Sequence, residues 1–446
     1  MRIHIAGLGA VGTFVAYHLR HTLTLKDAVV ALHRKEVAPA LSRSWPVLKV
    51  SSYRGAVVAS EHRVLHTVYH TTPERWTNLV PMRHLSLADQ ARGEKELELH
   101  RPWDPHKMPR VGGSLESLIL TTKAHQASGV IAALRGLISR NTTIVLLVNG
   151  MGLYEQLVDE HFPDPEARPN FVLATNTHGF FRPEPFHVVH SGTGEIQLGI
   201  VPDPLGRNYE AALLRSRDPF VNLSLDDIER SEEVPYGASR RYRNLRYTIA
   251  ALTGARALGA SWRPYSDVRL NMQRKLVVNA FVNPVSALMQ CRNGETLAAT
   301  NGHWLMQRLC REAEATYRGH FEAEVRAQRE EHLRRLRADD TLPPFIASSF
   351  PTSLKHHSLQ AEIERVVEQT KNNYSSMSVD IKTDRGTEIE YINGYLHRLA
   401  SKYRVNTWVN DTLYHLINMR SLIPFVPGVQ TGVFIHTSFM LLLTLA

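Results

Sequence analysis

Six residues near the start of the chain, Gly7-Leu8-Gly9-Ala10-Val11-Gly12, constrain the fold more than any other feature. They fit G-x-G-x-x-G, a spacing that turns produce by chance, so context decides what it means. Here the hexad follows Arg2 to Ala6, which reads as a short buried strand, and it opens a helix through Val11 to His21. In such a turn the first glycine allows the tight reversal. The second lets the backbone approach a pyrophosphate, and the third lets helix and strand pack closely. Free N–H groups and the positive dipole end of the helix then face the phosphates. Ala28 to His33 reads as the next strand, so the segment opens a βαβ unit. Gly7, Leu8, Gly9, Ala10, Val11 and Gly12 are therefore expected to cradle a dinucleotide.

The end of the second strand selects which dinucleotide. An NAD site usually closes this strand with an Asp or Glu on the ribose 2′-hydroxyl, and a carboxylate there would repel a 2′-phosphate. This strand instead ends His33-Arg34-Lys35. A guanidinium binds phosphate bidentately, so NADPH is the expected cofactor and Arg34 its 2′-phosphate contact. Exposed basic residues at a strand end are the other reading, and Glu36 follows immediately.

Strand patterns return at Ser117 to Thr122 and at Thr143 to Val148, with a helical pattern from His125 to Ile138 between them. Extended segments follow near Phe171 to Thr177, Phe186 to His190 and Gly194 to Gly199, after which Pro202, Pro204 and Gly206 mark a boundary. From about Asp226 the pattern becomes helical. Strands alternating with helices predict a parallel sheet. The expected organisation is an α/β dinucleotide-binding domain over residues 1–205 and a helical substrate and catalytic domain over 226–421. Pro102, Trp103, Pro105, Pro109 and Gly112-Gly113 make residues 92–113 read as a surface insertion, and a second insertion is expected over 318–359. Within the latter, Gly319 to Asp340 reads as a charged helix. Its Glu322, Glu324, Glu330 and Glu331 alternate with basic residues, the mark of a solvated face rather than a nucleic-acid surface.

Composition narrows the function classes. With 446 residues, 43% apolar and 21% charged, the chain can bury full-size cores, which excludes wholesale disorder and collagen-like repeats. Cys291 and Cys310 are its only cysteines, so a disulfide framework is excluded, zinc-finger spacing is absent and no metal is expected. A net charge of +9 suits an enzyme of phosphorylated cofactors and small acids as well as it suits nucleic acid or an anionic membrane. The first strand reads from the second residue, so no leader segment is expected. A cytoplasmic location is expected, with a mitochondrial one as the alternative. Residues 422–446 hold no Asp, Glu, Lys or Arg, and the 19 residues from Gly428 are about the minimum for a helix crossing roughly 30 Å of hydrocarbon. Membrane contact is expected only if this tail is an anchor. Packing on the body and lying outside the functional protein are the other readings.

The segment Asn271-Met-Gln-Arg-Lys275-Leu-Val-Val-Asn279-Ala-Phe-Val-Asn283-Pro284 places Asn271, Lys275, Asn279 and Asn283 four residues apart. On a helix they form one stripe, drifting about 40° per step. Leu276, Val277, Val278, Phe281 and Val282 hem it in. A solvated face would carry Glu, Lys and Arg rather than amides around one lysine, so the stripe reads as a functional cleft, with an ordinary polar face as the other reading. Pro284 is expected to end or kink the helix and free backbone groups for a ligand. Further on, Asn373-Tyr-Ser375-Ser376-Met377 leads through Asp380 to Thr387-Glu388 and Asn393-Gly394. Ser and Thr ahead of such helices also fit a simpler role as caps.

Taken together, these motifs resemble ketopantoate reductase (2-dehydropantoate 2-reductase). The pieces are the N-terminal hexad with Arg34, Thr121-Thr122-Lys123-Ala124-His125-Gln126, Asn149-Gly150-Met151-Gly152, Arg274-Lys275 through Asn279 to Asn283-Pro284, Asn293-Gly294-Glu295, and Ser375-Ser376-Met377 through Thr387-Glu388 to Asn393-Gly394. They lie in the family's order over both halves of the chain. The resemblance implies a Rossmann domain followed by an all-helical domain, with ketopantoate reduced by NADPH in the cleft between them, for pantothenate and coenzyme A synthesis. It implies Lys275 as general acid and Glu388 as an acidic partner. Asn279, Asn283 and Ser376 become substrate contacts, and Lys123 and Asn149 line the cofactor. Hydride delivery to a ketone builds negative charge on oxygen, which needs a proton donor and a hydrogen-bond donor, and a lysine is both.

Residues 92–113, 206–239 and 318–359 are longer than the compact family pattern, and His125 stands where compact members carry an aromatic. A small 2-keto acid is the expected partner, nucleic acid is not, and the protein is expected to be a monomer or homodimer. Fold does not fix substrate. The alternatives are a related NADPH-dependent reductase of another 2-keto acid or an imine, and a catalytically inactive nucleotide-binding or RNA-associated relative.

Overall fold

The computed structural model describes residues 1–24, 27–34, 48–52, 65–69, 77–79, 114–206, 209–210, 225, 228, 240–337 and 344–423. The insertion expected at 92–113, most of 206–239 and the tail beyond Ile423 lie outside the described residues. Among those described, no helix is long and apolar enough to cross a membrane. The chain divides into two compact units, Met1–Leu276 and Val277–Ala446.

The first unit opens with β1 (Arg2–Ala6), α1 (Ala10–Thr22), β2 (Ala28–Arg34), β3 (Lys49–Ser52), β4 (Leu65–Tyr69) and β5 (Thr77–Leu79). It continues through β6 (Ser117–Leu120), α2 (Ala124–Leu134), β7 (Thr143–Leu146), α3 (Leu153–His161) and β8 (Asn170–Asn176). Then come β9 (Gly179–Glu184), β10 (His187–Gly192), β11 (Ile196–Ile200), α4 (Arg240–Gly254) and β12 (Ala260–Trp262). The main sheet has the order β12-β11-β8-β7-β6-β1-β2-β4-β5. Its strands from β8 to β4 run parallel. Parallel strands covered on both faces read as continuous apolar runs, and β6 and β7 are buried at every position. The chain starts at the centre, moves outward through β2 and β4, and returns to β6 on the other side of β1. A ligand crevice forms where the strand order reverses in this way, at the carboxyl ends of the strands. A smaller sheet, β3-β10-β9, packs on α1.

Residues 240–262, expected to begin the helical domain, belong to this first unit. Ala260–Trp262 is a strand, parallel to β11, in a stretch expected to be helical. Three residues are too few to show a period of two, and backbone pairing holds them in place. Helix α4 is fastened by a buried guanidinium. Arg241 donates to Arg140 O at 2.7 Å, to Arg168 O at 2.6 Å and to Asp203 Oδ2 at 2.7 Å.

The second unit is helical among its described residues. It contains the end of α5 (Tyr265–Met289), then α6 (Thr300–Leu336), α7 (His356–Gln369), α8 (Ser376–Lys382), α9 (Asn393–Lys402) and α10 (Trp408–Leu422). The charged segment expected from Gly319 is the second half of α6, a helix of 37 residues. Within it Glu331 pairs with Arg334 at i,i+3 and with Arg335 at i,i+4, the spacing of a solvated face. Helix α6 packs against α7, α9 and α10, burying Met306, Leu309, Cys310, Ala313 and Tyr317.

Of the two expected outcomes, an end or a kink, Pro284 does not produce an end, since α5 continues to Met289. A helical proline has no N–H to give the carbonyl four residues back, which here is Ala280 O. The Asn393 amide Nδ2 donates to it instead, at 3.0 Å. The freed backbone group serves packing and is not left for a ligand.

Removing one partner of a buried ion pair leaves the other charge uncompensated. Asp203→Ala is therefore expected to destabilise the protein by about 3 kcal/mol, seen as a lower urea midpoint with far-UV circular dichroism of the native state unchanged.

Candidate active site

The glycines of the hexad divide into two kinds. Gly7 has φ +98°, and a Cβ there would lie 2.5 Å from Thr122 N. At Gly12 a Cβ would lie 2.1 Å from Gly7 O and 2.4 Å from Thr121 Oγ1. Both positions are closed by packing. Thr121 Oγ1 donates to Gly7 O at 2.6 Å and ties β6 to the turn. At Gly9, by contrast, a Cβ would meet nothing within 4 Å. The turn is thus tight where helix meets strand and open where a ligand backbone would approach. Thr13 N is the first amide of α1 to bond back, to Gly9 O at 3.0 Å, so the three preceding N–H groups have no partner within the helix. The first turn carries no acidic residue. These features fit the pyrophosphate of a dinucleotide.

The neighbouring strands deliver the next residues to the same edge. Lys123 is the extended residue before α2. Asn149 lies beyond β7, followed by Gly150 and Gly152 with φ of 87° and 89°. Arg34 is the last residue of β2, and its side chain lies outside the described residues. Lys275, on α5, is half-buried, with Nζ 3.2 Å from Asn149 Oδ1 and 2.7 Å from Asn176 O. The structure therefore brings Lys275 and Asn149 together. It adds Asn176, which sequence reading passed over because it acts through its backbone carbonyl, and a carbonyl has no signature in residue type. The first member of the polar stripe, Asn271, is fastened to β11 through Gln197 Oε1 at 2.8 Å.

In the second unit, Asn279 is half-buried and Asn283 is buried. Asn283 O lies 3.2 Å from Ser286 Oγ. Ser286, Ser375 and Ser378 form a closed ring of hydroxyls at 2.8, 3.1 and 3.2 Å. Ser375 also caps α8, accepting the Ser378 N–H at 3.1 Å, so capping describes this serine. Ser376 is exposed in the first turn of the same helix. Glu388 is buried and opens a short 3₁₀ turn in which Tyr391 N donates to Glu388 O at 3.0 Å.

Residues 3–203 match the family model described as Ketopantoate reductase PanE/ApbA, and residues 267–421 match Ketopantoate reductase PanE/ApbA C terminal. The chain belongs to the ketopantoate reductase family. One relative is the Schizosaccharomyces pombe protein named Probable 2-dehydropantoate 2-reductase, 23% identical over 419 residues, which span 94% of this chain and 96% of that one. The Saccharomyces cerevisiae 2-dehydropantoate 2-reductase is 24% identical over 312 residues, 69% of this chain and 74% of its own. Among solved structures, D-mandelate dehydrogenase with NADH and anilino(oxo)acetate superposes with a TM-score of 0.58 at 18% identity, covering 94% of this chain and 98% of that one. A PanE/ApbA family ketopantoate reductase from Ralstonia eutropha gives 0.57 at 15% identity, with 94% and 98% covered. At these identities the structural likeness shows the fold, a Rossmann-type domain followed by a helical one.

The two kinds of glycine should separate experimentally. Gly12→Ala is expected to cost about 1–3 kcal/mol through overpacking, whereas Gly9→Ala should stay within about 0.5 kcal/mol of wild type in thermal unfolding. In a fluorescence titration, Gly9→Ala should nonetheless weaken dinucleotide binding.

Proposed function

We propose that this chain is an NADPH-dependent reductase that converts 2-dehydropantoate to pantoate, for pantothenate and coenzyme A biosynthesis. The observation that carries the reading is Lys275 Nζ, held at 2.7 Å by Asn176 O and at 3.2 Å by Asn149 Oδ1 on the edge of the sheet that bears the glycine cradle. Family membership and the curated relatives named 2-dehydropantoate 2-reductase support the substrate.

In this reading Gly7, Leu8, Gly9, Ala10, Val11 and Gly12 hold the pyrophosphate, Lys123 and Asn149 line the cofactor, and Arg34 takes the 2′-phosphate. A reduced nicotinamide, when bound, supplies the hydride. Reduction of the ketone builds negative charge on its oxygen, and Lys275 Nζ–H donates a hydrogen bond and then the proton to that oxygen. Asn149 Oδ1 and Asn176 O can only accept, so they orient the ammonium. Asn279, Asn283 and Ser376 are assigned to the substrate carboxylate and hydroxyl, which amides and a hydroxyl can bind without adding charge. Glu388 is assigned as the acidic residue of the reaction.

Purified protein should oxidise NADPH when ketopantoate is added. Lys275→Ala should lower turnover roughly a hundred- to ten-thousand-fold while NADPH binding is largely kept, and near-wild-type turnover would sink the assignment. Repeating the assay with NADH and with Arg34→Ala tests the 2′-phosphate contact, which fails if the variant keeps the wild-type cofactor preference. Because a protein named D-mandelate dehydrogenase shares the fold, other 2-keto acids belong in the same assay. Faster turnover of one of them would move the substrate but keep the chemistry.

A further inference from the structure

One acceptor holding Lys275 is a backbone carbonyl, and a histidine with no part in the chemistry above fixes that carbonyl. Asn176 ends β8. Its carbonyl receives Lys275 Nζ at 2.7 Å, while its side-chain Oδ1 turns forward to accept the backbone N–H of His178 at 3.0 Å. The buried ring of His178 then holds the turn from outside. Nε2 lies 2.9 Å from Leu258 O, and Nδ1 lies 3.0 Å from Gly194 N and 2.9 Å from His190 Nε2.

These partners assign the protons. A carbonyl only accepts, so His178 Nε2 carries hydrogen. An amide N–H only donates, so Nδ1 is bare and His190 donates to it from Nε2. One neutral ring thereby ties the end of β8 to the segment before β11 and to the segment before β12. Gly194 packs against the turn so closely that a Cβ would lie 2.4 Å from His178 N. Thr177 completes the tie, donating from N to Glu195 O at 2.9 Å and accepting the Glu195 N–H on Oγ1 at 2.9 Å.

We propose that His178 is a positioning residue for Lys275, its neutral imidazole locking the Asn176 carbonyl where it receives the lysine ammonium. The proposal rests on the assignment of Lys275 as proton donor. His178 acts through Asn176 and touches no reacting atom, yet a displacement of about 1 Å in a catalytic group can cost roughly a hundred-fold in rate.

Among the described residues, the side chains that face the ring are His190 from β10, Glu195 from the segment before β11, Phe14 from α1 and Phe180 from β9. Of these, His190 and Glu195 titrate. Burial lowers the His178 pKa below the ordinary histidine range, against the opposing pull of Leu258 O and Glu195. Burial and then His178 lower that of His190. Because both shifts are downward, the rings stay neutral through neutral pH, and the lock opens only as pH falls below the ordinary histidine range. A proton on His178 Nδ1 would then confront the Gly194 and His190 donors.

His178→Phe removes the lock, while His178→Asn keeps an acceptor near the Nδ1 position and cannot titrate. The first is expected to lower kcat about ten- to a hundred-fold with the KM for NADPH unchanged. The second should restore most of kcat at neutral pH and lose the acid limb of the wild-type pH profile. A readout independent of turnover is acylation of Lys275 by an activated ester, followed by peptide mass and referenced to the exposed Lys371. Loss of the carbonyl acceptor should raise the Lys275 rate several-fold in His178→Phe and leave His178→Asn near wild type. The proposal is overturned if His178→Phe changes neither kcat nor labelling, or if His178→Asn keeps the acid limb. Should His178→Phe fail to fold, the His178→Asn pH profile decides. Should the wild type reduce no 2-keto acid, the functional reading fails instead, and the labelling contrast still decides the positioning role.

Discussion

The site in the first unit depends on how closely α1 approaches β1. With Gly7 O bound by the Thr121 hydroxyl at 2.6 Å and a Cβ at residue 12 destined for 2.1 Å from that same oxygen, the gap is smaller than one methyl group. This contact sets the start of α1 at the carboxyl edge of the sheet and ties the turn to β6. The strands that follow in the sheet, β7 and β8, then carry Asn149 and Asn176 to the same edge, where Lys275 meets both. A steric restriction on two glycines thus becomes the placement of an ammonium group.

What could be read from the sequence was what is local. The glycine hexad and the four-residue spacing on α5 are short patterns whose geometry follows from one turn or one helix, and the helices they predict are present. The family membership inferred from scattered motifs is also shown. Less legible were contacts carried by backbone atoms. Asn176 serves Lys275 through a carbonyl that any residue possesses, and the His178 tie needs a glycine, a carbonyl and a second histidine from three other segments. β12 was missed because three residues show no periodicity. Ser375 and Ser376 are adjacent in sequence yet differ completely in surroundings, one capping a helix inside a hydroxyl ring and the other exposed.

Pro284 and Asn393 show why a motif need not mark chemistry. Asn393 is fully buried; its side-chain Nδ2 donates to Ala280 O and to Asn410 Oδ1, and its backbone carbonyl accepts from Asn410 Nδ2. Both partners are met by Nδ2, while the buried Oδ1 accepts no hydrogen bond from the described residues. Next to it, a Cβ on Gly394 would lie 3.0 Å from the Tyr414 ring. The Asn-Gly pair therefore repairs the helix that the proline interrupts and lets α10 approach, which is architecture rather than catalysis.

The central strand also governs how the chain is made. Ile3 pairs with Val29 on one side and with Ser117 on the other, so during synthesis β1 can find its first neighbour early and its second only after more than a hundred residues have emerged. Until then an edge bearing fully buried Ile3 and Ile5 stands unpaired, the kind of surface that recruits other chains. Loop closure is forgiving, since each doubling of the intervening length adds only about 0.6 kcal/mol. Length added between β5 and β6 therefore weighs on the time a nascent chain spends exposed far more than on the stability of the finished protein.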